Sequence, residues 1–421
     1  MPPLDGVSPC SLSPDLIIKP APSNKHYEKS RRTLLSSLVI MGMGFSVLFP
    51  VLAPLGRELG LQDIQITSII SISSLAVFLS SPLWGRLSDK YGRKPIMLIG
   101  VFGFSLGTVG FNTVLNLGMS GWLLGTPLFI SLILARVAHA SIMSAGMPAA
   151  TAYMADITDV TSRTKGMGAA GAANNIGSIL GPALAGLAVI SLLTPLWTIA
   201  VLAFCNGLFI LKFLPESPHG SVGRRAVKRL RYTDPRILPF VIVGVCMFTG
   251  FALVQQTMGF RFQDVLNLGP GETAQTFGVA MMCTGAASLF AQAIIVQRLE
   301  IRPFTLLRLA MPVLIIAFSL MTIAETRSLL TIAMTLLGLG MGLSGPGFMA
   351  GASLAVSQEE QGSVAGVAGS CGPLGFTLGP FIGGVMYQVN PSVPYAFAAF
   401  MYILLFISMF WLAKRVSVHA D

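Results

Sequence analysis

The chain has 421 residues, of which 53% are hydrophobic and only 10% are charged. Soluble globular proteins of this length do not reach that balance, so the composition predicts a protein embedded in a lipid bilayer. The formal net charge of +10 fits basic cytoplasmic loops attracted to anionic lipid, and we expect no nucleic-acid partner. None of the five cysteines is spaced as a metal-ligand or disulfide pair, so we expect no metal and no cofactor.

Twelve apolar windows follow one another, each close to the roughly 20 residues that a membrane helix needs. They lie at 33–56, 64–84, 95–116, 126–150, 166–190, 194–214, 236–258, 274–296, 303–324, 328–353, 362–387 and 394–413. With the amino terminus inside, almost all of the 27 Lys and Arg residues fall on the cytoplasmic side. No glycosylation sequon occurs. We therefore expect a multi-pass protein of the bacterial inner membrane, with both termini cytoplasmic.

A polar stretch at residues 85–95 separates the second and third windows, and the sequence predicts a loop there. Its spacing of Gly, Asp and Gly-Arg-Lys resembles the signature loop of the major facilitator superfamily. That resemblance implies a gating role on the cytoplasmic side. The residues concerned are Gly85, Asp89, Lys90, Gly92, Arg93 and Lys94.

Asp89 is the centre of the gating hypothesis. The resemblance places it beside the start of the eleventh span, where helix N–H groups and the helix dipole favour negative charge. Arg93 is expected to pair with Asp89 and to reach the opposite half of the protein, so that the pair latches the inner side shut. In the alternative interpretation, Lys90, Arg93 and Lys94 only anchor the loop on the cytoplasmic side.

The chain repeats itself at an offset of 198 residues, most clearly where Gly181-Pro182 falls on Gly379-Pro380. The repeat predicts two similar halves in the same orientation, as the superfamily's architecture implies. We therefore predict an all-α membrane protein with twelve transmembrane helices in two pseudo-symmetric six-helix bundles. The predicted parts are an N-terminal tail (1–32), a first bundle (33–214), a basic cytoplasmic linker (215–235), a second bundle (236–415) and a C-terminal tail (416–421).

The fifth span contains a motif that resembles the antiporter motif of drug-exporting facilitators, with Ala185 in place of one glycine. Its residues are Gly177, Gly181, Pro182 and Gly186. Small residues let helix backbones approach closely, and the proline removes a backbone hydrogen bond. Close packing explains the glycines by itself. The recurrence of Gly-Pro in the eleventh span favours a hinge or close-contact role.

Arg136 is the one full charge inside the predicted hydrocarbon region. Such a charge is costly and should face the bundle interior or a wet cavity. His139 lies one turn further on the same helix face and titrates near neutral pH. All acidic residues lie outside the windows, so His139 is the candidate proton site, with a neutral packed histidine as the alternative. Buried amides near the midplane, which either bind substrate or tie helices together, are Asn174, Asn175, Gln255 and Gln256.

These features predict a secondary active transporter, and not an enzyme, that exports a small molecule by alternating access. Proton-coupled efflux of drug-like or amphiphilic compounds is the first hypothesis, and the expected substrate is anionic, zwitterionic or neutral. The second is a dedicated exporter of an endogenous anionic metabolite such as a carboxylate siderophore. A sugar importer and a non-transporting membrane sensor are less favoured. The expected partners are the substrate, protons and membrane lipid, and we expect a monomer.

Overall fold

The computed structural model describes residues 24–158, 163–217, 230–298, 301–357 and 360–417. Within these ranges the chain is helical and has no β-strand, and all twelve predicted spans are confirmed as helices. In order they are Asn24–Ser46 with Leu48–Glu58, Asp63–Tyr91, Arg93–Met119, Gly125–Met143 with Gly146–Ile157, Arg163–Ala183 with Leu184–Val189, Thr194–Phe213, Leu238–Leu266, Pro270–Phe290 with Ala291–Val296, Pro303–Ile323, Arg327–Leu354, Gln361–Val389 and Val393–Ser417. Ten of these spans, among the described residues, have the length and hydropathy to cross a membrane.

The predicted loop at residues 85–95 is wrong. The second span stays helical through Tyr91, and the third begins at Arg93. Gly92 alone breaks the helix, with a φ of 107° that glycine adopts without strain. The hydropathy of residues 85–91 falls because the helix leaves the membrane, not because it ends. The candidate gating residues therefore lie on two rigid helix ends.

Parts of the predicted tails and linker lie outside the described residues, namely 1–23, 218–229 and 418–421. Four of the linker's basic residues, Arg224, Arg225, Lys228 and Arg229, fall within 218–229. Within the described chain, Leu230 donates its N–H to Ser363 Oγ at 2.8 Å, which ties the end of the linker to the eleventh span.

The helices pack as two groups of six. In the first group the first span packs on the fifth, and the third packs on the fourth and sixth. In the second group the seventh packs on the eleventh, and the ninth packs on the tenth and twelfth. The groups, called the first and second bundle here, meet where the second span crosses the eleventh and the fifth crosses the eighth. We call the face that carries Arg93 the inner face, after the predicted orientation, and the opposite face the outer face.

The interface between the bundles is closed at the outer face. One hydrophobic core joins the outer part of the first bundle to the second bundle, whereas the inner part of the first bundle packs around a separate core. A Cβ added to Gly384 of the eleventh span would strike Thr67 of the second. At the inner ends, a Cβ added to Gly168 or Gly366 would meet nothing within 4 Å. The space between the bundles is therefore a cleft that opens at the inner face.

Candidate transport site and gates

A cavity of about 210 Å³ lies where the two bundles meet, between the first and fifth spans on one side and the seventh, eighth and tenth on the other. Its lining consists of Phe45, Ser46, Phe49, Asn175, Ser178, Ile179, Phe251, Gln255, Met281, Thr284, Gly285, Ser288, Leu289, Met334, Gly338 and Met341. None of these described side chains carries a formal charge. Phenylalanine and methionine provide apolar walls that adapt to ligand shape, while hydroxyls and amides supply a few polar contacts.

Aromatic rings separate this cavity from a second space of about 30 Å³ that contains Arg136. Phe45 and Phe49 line both spaces. Their ring centroids lie 5.7 and 6.0 Å from that of Phe376, and Phe251 is 6.2 Å from Phe376. These rings come from both bundles, so a relative movement of the bundles would move the rings that separate the two spaces.

Arg136 and His139 are brought together, as their spacing predicts. Arg136 Nη1 donates to His139 Nδ1 at 2.7 Å, and the guanidinium carbon lies 5.8 Å from the centre of the Phe111 ring. Arg136 Nε has no hydrogen-bond partner among the described residues. Since Nδ1 accepts a hydrogen bond from the guanidinium, this nitrogen carries no proton and the imidazole is neutral in this arrangement. Arg136 is thus a partly buried cation with a neutral partner and spare donor capacity at Nε.

His139 does not line the central cavity. Its ring lies against the third span, 5.1 Å from the Phe104 ring centroid, and it fills the space beside Gly107. Its Nε2 is buried without a described hydrogen-bond partner. A proton on this ring would place a second positive charge 2.7 Å from the Arg136 guanidinium. The role of His139 as a proton site remains a prediction. In this arrangement its protonation would depend on the position and pairing of the Arg136 guanidinium.

The four predicted amides divide into two pairs. Asn175 and Gln255 line the cavity, one from each bundle. Asn175 Nδ2 donates to Gln292 Oε1 at 3.3 Å and so joins the fifth span to the eighth. Asn174 instead places its backbone carbonyl against Gly42 of the first span. Gln256 is buried, and neither polar atom of its amide has a described hydrogen-bond partner.

The motif of the fifth span is a site of close helix contact. A Cβ added to Gly177 would strike the backbone of Val39, and one added to Gly181 would strike Ser46 Oγ. After Pro182 the α-helix gives way to a 3-10 helix at Leu184–Val189. The Pro182 carbonyl lies 2.8 Å from a Cβ added to Gly278 of the eighth span, whereas Gly186 borders open space. The motif therefore packs the fifth span against both bundles.

Arg93 holds two carboxylates at the inner face. Its Nη1 donates to Asp89 Oδ1 at 2.5 Å, and its Nε donates to Asp156 Oδ2 at 3.0 Å. Asp156 also accepts a hydrogen bond from Ser217 Oγ at 2.8 Å. All of these residues belong to the first bundle or follow it directly. The Asp89–Arg93 pair is thus formed while the cleft faces inward, so inward opening does not break the pair itself.

The remaining candidate gating residues lie around this cluster. Lys94 donates its backbone N–H to Glu216 Oε1 at 3.2 Å and its Nζ to the Leu211 carbonyl at 2.9 Å. Lys90 lies over the Tyr91 ring at 5.1 Å, and a Cβ added to Gly85 would meet nothing within 4 Å. Lys94 therefore ties the third span to the end of the sixth, a structural contact that the sequence did not reveal.

A second inner cluster joins the start of the seventh span to the start of the eleventh. Arg236 donates to both oxygens of Glu360, at 2.9 and 3.1 Å, and also binds Asp234. The hydrogen bonds from Arg236 lower the pKa of the Glu360 carboxyl, and those from Arg236 to Asp234 and Glu360 raise the pKa of the guanidinium. This cluster belongs to the second bundle and holds its inner end together.

Comparison with known proteins identifies the family. The model of the Major Facilitator Superfamily matches residues 34–376. The chain belongs to the major facilitator superfamily. It is 27% identical over 399 residues to Multidrug resistance protein 2 of Bacillus subtilis, which covers 91% of this chain and 95% of the relative. It is 27% identical over 379 residues to the class C tetracycline resistance protein of Escherichia coli, which covers 85% of this chain and 90% of the relative.

Solved structures support the same fold. A bacterial homologue of the human lysosomal transporter Spinster, in an inward-facing and unoccupied conformation, superposes with a TM-score of 0.70 at 15% identity. The alignment covers 93% of this chain and 98% of that one. This facilitator is therefore a multi-pass membrane transporter with the twelve-helix major facilitator fold.

Several residues of this facilitator's site were not found from its sequence. Asp156 and Phe376 are far from Arg93 and Phe45 in sequence, and only the packing of helices brings them together. Gln292 lies in a short π-helical segment, Ala291–Val296, that hydropathy does not reveal. The sequence offered one signal for such residues, namely a polar side chain within an apolar window. Thr284, Ser288 and Gln292 are all polar residues within the window 274–296.

Proposed function

We propose that this facilitator exports uncharged or zwitterionic amphiphilic compounds across the bacterial inner membrane, in exchange for protons. The observation that carries the proposal is the uncharged cavity between the bundles, with its phenylalanine, methionine, hydroxyl and amide lining. Such a lining binds apolar bodies of different shapes and adds only a few directional contacts. A site of this kind favours a range of substrates over a single one.

The relatives support an export role. Both bacterial relatives described above carry names for drug resistance, one for multidrug and one for tetracycline resistance. Removal of a compound from the cell is the simplest way for a membrane transporter to give resistance. A cavity that faces inward in this structure is positioned to accept a compound from the cytoplasm or the inner leaflet, provided that the termini are cytoplasmic as proposed.

The entry of one proton per cycle provides enough energy to drive export. One unit charge that crosses about 150 mV releases about 3.5 kcal/mol, which supports a concentration gradient of a few hundredfold. Of the four histidines, only His139 lies within one of the predicted apolar windows. Proton binding there becomes favourable if Arg136 moves away or binds an anionic group, since either change removes the repulsion. The neutral and the charged imidazole would then mark two different states of the cycle.

A dedicated exporter of an anionic metabolite is the second candidate, and Arg136 is the observation that favours it. The guanidinium lies in the small space behind Phe45 and Phe49, and its Nε has no hydrogen-bond partner among the described residues. A carboxylate there would receive a charge-assisted hydrogen bond, which is about twice as strong as a neutral one. The apolar part of the same molecule would fill the central cavity.

The test is transport by the purified protein in proteoliposomes with an imposed pH gradient. The probes are a tetracycline as the zwitterion, a carboxylate amphiphile and a quaternary ammonium dye. We expect transport of the zwitterion that collapses with the gradient. Preferential transport of the carboxylate would favour the second candidate, and transport of the dye alone would overturn the substrate class of both.

A matched pair of variants ties transport to the cavity. Met281→Ala shortens a side chain that lines the cavity and so enlarges the cavity, whereas Met282→Ala changes a neighbouring methionine that does not line it. We expect Met281→Ala to change the relative KM values of the three probes and Met282→Ala to leave them as they are. Equal effects of the two substitutions would show that this cavity is not the binding site.

A further inference from the structure

Arg57, at the outer end of the first span, joins the two bundles through two carboxylates. Its Nε and Nη2 donate to the two oxygens of Asp63 at 2.8 Å each. Its Nη1 donates to Asp264 Oδ1 at 2.5 Å, and Nη2 donates to Asp264 Oδ2 at 3.1 Å. Asp63 begins the second span of the first bundle, whereas Asp264 lies near the end of the seventh span, in the second bundle. One guanidinium therefore makes a contact within its bundle and a contact across the interface.

Neighbouring groups hold this cluster in place from the second bundle. Tyr387 Oη, on the eleventh span, donates to Asp264 Oδ2 at 2.7 Å. The Arg57 guanidinium lies 4.7 Å from the centre of the Phe260 ring, and Gln263 Oε1 accepts a hydrogen bond from Nη1 at 3.3 Å. The Arg57 side chain is 22% exposed. Partial shielding and two-point geometry make such a pair stronger than an ordinary surface ion pair.

We propose that Arg57 and Asp264 form an outer latch that stabilises the inward-facing conformation, with Asp63 as the counter-ion that keeps Arg57 in place throughout the cycle. The Arg57–Asp264 contact crosses the interface that is closed here and has to separate when the outer face opens. The Arg57–Asp63 contact does not cross it. After separation Asp63 still neutralises Arg57, so opening does not leave an unpaired guanidinium at the outer end of the first span.

The latch acts on the conformational equilibrium and does not contact substrate, so Arg57 and Asp264 are positioning residues. The inference rests on membership of a superfamily whose bundles alternate, and it does not depend on the substrate class proposed above. It predicts a change in the population of conformations when the cross-bundle contact is weakened. A purely structural ion pair would change the stability of the protein and leave those populations alone.

The experiment measures an outer-face distance in the full chain. Spin labels are placed at Ser120→Cys, just after the third span, and at Arg327→Cys, the first residue of the tenth span. Both residues are exposed and lie at the outer face in different bundles, and the native cysteines are replaced by alanine. Pulsed electron spin resonance then gives the distance distribution without any substrate. We expect Asp264→Asn to increase the ratio of long to short distances by about fivefold or more.

Two further variants make the test decisive. Asp63→Asn also removes one carboxylate charge that pairs with Arg57, but it removes no contact between the bundles. We therefore expect a clearly smaller shift in the distance distribution. Tyr387→Phe keeps the ring and removes one donor to Asp264, and we expect a shift in the same direction as Asp264→Asn; it provides the measurement if Asp264→Asn does not fold. An unchanged distribution in Asp264→Asn and Tyr387→Phe, or an equal shift in Asp63→Asn, would overturn the latch. A failed transport assay would not affect this result.

Discussion

Replacement of Arg136 by methionine should leave the stability of the protein nearly unchanged while it impairs transport. A charged side chain in the middle of a membrane helix costs about 2.5–3.5 kcal/mol. In the structure this cost is offset by one hydrogen bond from the charged guanidinium to neutral His139, worth about 1.5–3 kcal/mol, and by a distant contact with the Phe111 ring, worth about 0.5–1 kcal/mol. The two sides nearly cancel, so Arg136→Met should change the free energy of unfolding by about 1 kcal/mol or less.

The control is Arg261→Met. Arg261 is also buried, but its Nη2 donates to the carbonyls of Thr322 and Ala324 at 3.2 and 3.3 Å. Each bond from the charged guanidinium is worth about 1.5–3 kcal/mol, so their loss should destabilise that variant by at least about 3 kcal/mol.

Both variants are compared with the parent by unfolding in detergent and by transport in proteoliposomes. For Arg136→Met we expect a stability close to that of the parent together with at least a tenfold loss of transport of a carboxylate probe. If it is destabilised like Arg261→Met, Arg136 is a structural residue and the reasoning fails. Full transport by a variant of parent-like stability would remove Arg136 from the site.

Three further outcomes follow from the contacts described above. Gly177→Ala should cost about 1–3 kcal/mol because its Cβ strikes the first span, whereas Gly186→Ala should be near neutral; equal melting temperatures would contradict this. Glu360→Gln should be less stable than the parent at neutral pH. Because the pKa of Glu360 is lowered in the folded state, this difference in stability should disappear as the pH falls through that pKa. A difference in stability that does not depend on pH would refute the ion-pair explanation. Asp89→Asn should insert normally and transport several-fold more slowly, because Arg93 loses one of its two carboxylates; a normal rate of uptake in proteoliposomes would exclude the gating role.

The inner and outer ion clusters differ in what they connect. Around Arg93 the described carboxylates lie in the first bundle, and around Arg236 they lie in the second. Arg57 alone among these three bridges the bundles in this conformation. A family motif drew attention to Arg93, whereas Arg57 belongs to no motif that the sequence analysis recognised. Its importance is a property of the interface.

Most of the fold could be predicted from sequence because membrane helices leave a local signal. Twenty apolar residues in a row reflect the thickness of the bilayer, and all twelve windows are helices in the structure. The same signal failed at residues 85–95. Hydropathy reports where the chain leaves the lipid, whereas the helix continues until Gly92 breaks its hydrogen-bond pattern.

The sequence by itself determined the class of protein, the number of spans, the repeat of the two halves and the pairing of Arg136 with His139, since each depends on neighbours within a few turns or on a fixed offset. Only the tertiary structure decided which polar residues share a cavity. Asn175 and Gln255 face that cavity while Asn174 and Gln256 do not, although each pair is adjacent in sequence. Helix rotation and the meeting of two bundles set that difference, and they also bring Arg57 to Asp264, because both depend on contacts between residues far apart in the chain.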